Sequence, residues 1–139
     1  MNTETRTPAQ VYSLVFGATL LLVGIIGFFV NSSFDTGSNL NGDDLILFEV
    51  NGWHNIVHIL SGLLGLALWR RRDTAYSFAL GFGIVYFAVF VWGLIQDPIL
   101  NLIPVNGADH VLHALIALAG IGAAMASKDA RDARTVRTA

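Results

Sequence analysis

The sequence predicts an all-α membrane protein: a four-helix transmembrane bundle made of two repeated helical hairpins. Three observations carry that expectation: four long apolar runs, a one-sided distribution of basic residues, and a motif that occurs twice. Composition sets the frame. The chain has 139 residues, of which 54% are hydrophobic and only 13% charged, with a mean hydropathy of +0.60. A soluble domain carries about 25% charged residues, so this chain lacks the polar surface to cover itself in water. Its length suits a single membrane domain spanning 1–139. The net charge of −2 provides no basic footprint, which argues against a nucleic-acid partner. Cysteine is absent, which removes disulfides, thiolate metal sites and cysteine nucleophiles together.

The first apolar run, Val11 to Val30, holds 20 residues without a charge. At 1.5 Å per residue it spans about 30 Å, the thickness of a bilayer core. A cleaved signal peptide is the alternative. The run is longer than the usual apolar region, and no small-x-small cleavage site follows it, so a retained helix is expected. The second run, Gly52 to Trp69, is uncharged but contains His54, Asn55, His58 and Ser61. The third, Ala75 to Gln96, is rich in Phe, Tyr and Gly, and the fourth, Ala108 to Ser127, carries Asp109, His110 and His113 in its first two turns. Between the first two runs lies a long connection, 31–51, that opens with turn-forming residues. It closes on Leu45-Ile46-Leu47-Phe48-Glu49-Val50, which reads as a short interfacial segment. The polar tail 128–139 reads as a frayed helix end.

All eight basic residues lie at one set of ends. Arg6 precedes the first run, Arg70, Arg71 and Arg72 separate the second from the third, and Lys128, Arg131, Arg134 and Arg137 follow the fourth. The positive-inside rule then puts both termini in the cytoplasm. Trp53 and Trp92 fall near the outer interface, and Trp69, Tyr12 and Tyr76 near the inner one, as an aromatic belt requires. Arg70 to Arg72 reads as a stop signal in contact with lipid headgroups.

Asn51-Gly52-x5-His58 recurs as Asn106-Gly107-x5-His113, an offset of 55 residues. The match continues with Leu60 and Leu115, Leu63 and Leu118, and Gly65 and Gly120. Each copy starts at the outer surface and is preceded by a span running outward. Two hairpins of this kind keep their orientation, so a pseudo-two-fold along the membrane normal is expected.

The stretch Phe48-Glu49-Val50-Asn51-x-Trp53-His54-Asn55-x-x-His58-x-x-x-Gly62, with the later Asn106-x-x-Asp109-x-x-x-His113, resembles a family of small four-span bacterial membrane proteins grouped as a domain of unknown function. The resemblance runs from about Val11 to Met125. It implies a multi-pass protein of the bacterial inner membrane and no assigned activity, substrate or cofactor. His110 belongs less closely to the shared pattern.

Polar groups inside a span are costly unless paired, so their placement is the main functional clue. On the second helix His54, His58, Ser61 and Gly65 share a face. On the fourth, His110, His113, Ala117, Gly120 and Ala124 do, with Asp109 at the edge. Both faces are imidazole outside and small inside, and they are expected to point toward each other, with His58 and His113 at equal depth.

Three readings follow. His54, His58, His110 and His113, with Asp109 or Glu49, could bind zinc or copper. His58 and His113 could ligate a b-type haem between them. Or the groups are structural: Asn51 and Asn106 as N-caps, Asn55 and the imidazoles as internal hydrogen-bond partners, Asp109 on the helix dipole. Four histidines near the outside could also respond to external pH. Gly17, Gly24 and Gly27 form a packing seam with Ser13 on the first helix. Tyr86, within the aromatic series Phe78, Phe82, Tyr86 and Phe90, could face the histidines from below. No catalytic set emerges. The expected partners are the lipid bilayer and a membrane protein or second copy of the chain.

Overall fold

The computed structural model describes residues 5–128. The tail from 129 onward, including most of the expected frayed end, lies outside the described residues. In order come α1 (Pro8–Val30), a 3-10 turn (Gly37–Asn39), β1 (Asp43–Leu45), β2 (Phe48–Val50), α2 (Gly52–Leu68), α3 (Arg72–Ile95) and α4 (Gly107–Met125). Three of the helices, α1, α3 and α4, are long and apolar enough to cross a membrane. The fourth, α2, has 17 residues, or about 26 Å, at the short end of what spans a bilayer core.

Local chemistry sets the helix starts. Thr7 caps α1 in a reciprocal box with Gln10, and Pro8 occupies the first turn, where its missing N–H costs nothing. Asn51 caps α2 by accepting from the His54 amide at 2.9 Å. Asn106 caps α4, accepting from the amides of Ala108 at 2.9 Å and Asp109 at 3.1 Å. Both asparagines take the N-cap positions that their spacing suggests.

Helix pairing follows the glycines. α1 packs most extensively on α2, and α3 on α4. A Cβ at Gly17 would lie 2.9 Å from the Leu66 nitrogen and 3.1 Å from the Gly62 carbonyl oxygen, so the two backbones are nearly in contact there. Across α3 and α4, a Cβ at Gly83 would stand 3.0 Å from the Ala117 carbonyl oxygen, and one at Gly120 would stand 2.8 Å from that of Ala79. The small faces of α2 and α4 therefore do not close on each other, contrary to the expectation from their shared pattern. Each closes on the helix preceding it in the chain, because a complementary small residue waits there: Gly17 for α2, Ala79 and Gly83 for α4. Tyr12, Phe78, Tyr86, Ile116 and the alanines at 75, 79, 117 and 124 fill the centre.

The segment 45–50, expected as a short interfacial segment, forms the end of the first strand, the turn and the second strand of a small antiparallel hairpin. Asp43 pairs with Val50, Asp44 with Glu49, and Leu45 with Phe48. Its turn carries Ile46, at φ 64°, and Leu47, both exposed. Val50 is fully buried, which anchors the hairpin to the bundle. Alternation of side chains along β2 makes this consistent, since Val50 and Phe48 share the inward face.

Candidate metal centre

Buried polar groups concentrate at the end of the bundle that carries the long connections. His54 and Asn55 on α2, and Asp109 and His113 on α4, are all buried, as are the capping Asn51 and the deeper His58. Backbone geometry at the two helix starts brings them together. With Asn51 and Asn106 as caps, His54 falls in the first turn of α2 and Asp109 in the first turn of α4. His58 and His113 follow one turn deeper on the same faces.

One atom each from His54, Asp109 and His113 lies within 4.8 Å of the others. The His54 and His113 rings are 6.3 Å apart between centroids. His58 stacks obliquely on His54 at 4.4 Å. The α2 imidazole grouped with His113 and Asp109 is thus His54, and His58 packs against the His54 ring. Tyr86 of α3 presents a T-shaped contact to His113 at 5.4 Å, so it does border the cluster. His110 is set apart: its ring lies against Gly93 of α3, where a Cβ would come within 2.8 Å of His110 Cε1.

The β-hairpin supplies the supporting bonds, chiefly through the backbone of Glu49. Its carbonyl oxygen is 2.8 Å from His54 Nδ1, which must therefore carry the proton and donate. That tautomer leaves the lone pair of His54 on Nε2. The Glu49 amide donates to Asp109 Oδ2 at 3.0 Å, and the Asn106 amide donates to the same oxygen at 2.9 Å. Oδ1 takes no hydrogen bond among the described residues. One residue of the hairpin thus orients two candidate ligands from different helices. The Glu49 side chain faces other carboxylates. Burial, followed by the charges of Asp97, Asp109, Asp44 and Asp43, pushes its carboxyl above the usual carboxylate range.

The asparagines tie loops to helices. Asn51 Nδ2 donates to the Leu102 carbonyl at 2.7 Å, Asn106 Nδ2 to that of Leu47 at 2.9 Å, and Asn55 Nδ2 to that of Asn31 at 2.8 Å. Among the described residues, Nδ1 of His58, of His110 and of His113 and Oδ1 of Asn55 are buried without a hydrogen-bond partner. Such atoms are rare in folded proteins and call for a reason.

The backbone role of Glu49 and the place of Gly93 beside His110 were not evident from sequence. The only sequence signal for the first is that Glu49 stands just ahead of the Asn51 cap. A glycine on a helix face is equally compatible with packing against any neighbour.

No curated protein and no solved structure matches the chain significantly. A domain of unknown function, DUF4383, matches residues 10–126, nearly the whole bundle and every candidate ligand, and the chain belongs to that family.

Proposed function

We propose that this protein is a multi-pass protein of the bacterial inner membrane that holds a transition-metal ion, zinc or copper. The ligands are His54, Asp109 and His113, with His58 available as a further donor. The observation that carries this reading is the approach of three ligand atoms to within 4.8 Å of one another, from two helices far apart in sequence. On tetrahedral zinc, ligands at about 2.0–2.1 Å stand roughly 3.3 Å from each other, so modest side-chain rotations would close the group around an ion. Two imidazoles and a carboxylate suit zinc, and a third imidazole makes the site nitrogen-rich enough for copper. The bonds from Glu49 to His54 and Asp109 are of the supporting kind that orient metal ligands and fix the imidazole tautomer.

The charge distribution supports a cytoplasmic location for both termini, which turns the site toward the outside. The repeated Asn-Gly-x5-His, capping α2 and α4 alike, supports two hairpins related by a pseudo-two-fold along the membrane normal.

A purely structural role is the second reading. The bonds of Asn51, Asn55, Asn106 and Asp109 favour it, since each joins a connection to the bundle. It accounts for the asparagine amide donors but leaves three imidazole nitrogens and Asn55 Oδ1 without partners among the described residues. A haem between His58 and His113 is less favoured, because His54 stands against both rings at 4.4 and 6.3 Å, where a porphyrin would have to pass.

The test is metal content. Protein purified in mild detergent and dialysed against zinc or copper is expected to retain about one ion per chain. His113→Ala should lose it and His110→Ala should keep it. Wild-type protein that stays metal-free after exposure to both ions overturns the reading and leaves the structural one. A Soret band in the purified protein would instead favour haem.

A further inference from the structure

The opposite end of the bundle carries a different arrangement. Trp69, at the end of α2, has two arginines on its ring: Arg6 Cζ at 5.1 Å and Arg70 Cζ at 5.8 Å from the centroid. Both arginines are exposed and the indole is half-buried. Two like charges gathered on one ring repel each other, and the ring's attraction offsets only part of that. Arg71 has a carboxylate, that of Asp73 at 3.1 Å. Neither Arg6 nor Arg70 pairs with a carboxylate among the described residues.

The backbone holds the two in place. Gln10 Nε2 donates to the Arg70 carbonyl at 2.9 Å, which binds the start of α1 to the α2–α3 link. Arg72 Nη2 donates to the Thr5 carbonyl at 3.4 Å, one residue before Arg6. Residues 64 positions apart in sequence are thus kept beside one indole.

We propose that Arg6, Arg70 and Trp69 form a binding site for the phosphate of an anionic phospholipid headgroup. A guanidinium matches phosphate oxygens with paired N–H donors, and two of them here have no carboxylate partner among the described residues. The location selects lipid over other phosphates. The arginines lie at the end of membrane-length helices, beside a tryptophan suited to the headgroup level, where phosphodiesters are the abundant anions. Arg6, far from the Arg70–Arg72 triplet in sequence, completes the site, while Arg71 is engaged with Asp73.

The experiment measures the thermal unfolding midpoint of the full chain in phosphatidylcholine vesicles with and without phosphatidylglycerol. Wild-type protein is expected to gain a few degrees from phosphatidylglycerol. Arg6→Gln combined with Arg70→Gln should lose most of that gain, and Arg71→Gln should keep it. Trp69→Phe, which preserves an aromatic ring and the fold, should reduce the gain by weakening the seat of both arginines, and it serves if the double variant does not fold. Inorganic phosphate added to phosphatidylcholine vesicles should give no shift. Equal gains in wild type and in both test variants overturn the proposal, as does a shift reproduced by inorganic phosphate alone.

Discussion

The two ends of the bundle treat polar groups in opposite ways. At the arginine end charges are exposed, stacked on an indole or paired at the surface, and the only ion pair among the described residues, Arg71 with Asp73, is largely open to solvent. At the hairpin end imidazoles and a carboxylate are buried, and several imidazole nitrogens have no partner among the described residues. A fold that needed only to end its helices could have used the first solution twice. The second retains groups that are expensive to desolvate, a cost for which the proposed metal site would give a reason.

That contrast can be broken by substitution. The largest effect is expected from Asp109→Ala. Its Oδ2 accepts from two backbone amides, and both would be stranded. Bonds to a charged acceptor and the desolvation of the abandoned donors put the loss at about 3 kcal/mol, measured by unfolding in denaturing detergent. Asn51→Ala comes next. It removes the α2 cap and the tie to Leu102, for a loss of roughly 1–2 kcal/mol in the same assay.

Glu49 offers a smaller, pH-dependent test. Its carboxyl is raised above its ordinary value of 4.5, so ionisation is disfavoured in the folded chain relative to the unfolded one. The penalty is present above the folded pKa, shrinks as pH falls through it, and is gone below the ordinary value. On chelator-treated protein, the stability of wild type relative to Glu49→Gln should therefore rise on mild acidification. Glu49→Gln should be slightly more stable than wild type near neutrality, and that advantage should shrink as pH falls; an advantage that is absent, or that does not change over this window, counts against the clustered carboxylates. The smallest effect belongs to the arginine end: Arg71→Ala should cost under about 0.5 kcal/mol, because an exposed pair contributes little. If Arg71→Ala rivalled Asp109→Ala, the asymmetry between the ends would not hold.

Much of the fold is legible in the sequence, and the reasons are physical. A run such as Val11 to Val30 has one stable arrangement in a bilayer, a helix with its backbone bonds satisfied internally. Asparagine followed by glycine at 51 and 106 announces the starts of α2 and α4, because capping is local chemistry. The hairpin is hidden because its strands have three residues each and its turn places Ile46, rather than Gly or Asn, at positive φ. Helix pairing is hidden for another reason. Every helix here presents small residues, and lipid provides no hydrophobic preference among their possible partners. For the site, periodicity identifies the faces that carry His54, His58, Asp109 and His113. It does not contain the rotation of α2 against α4, which turns His54 toward His113 and sends His110 to Gly93. Glu49 acts through its backbone, and a backbone role leaves almost no trace in residue type.

The central claim is that imidazoles from two helices and one carboxylate can share an ion. Zinc K-edge absorption on the zinc-loaded protein tests it most directly. The account expects a shell of nitrogen and oxygen ligands at about 2.0–2.1 Å with the outer scattering of at least two imidazoles, and a loss of the bound zinc and its edge in His113→Ala. An oxygen-only shell, or a spectrum unchanged by that substitution, would contradict it.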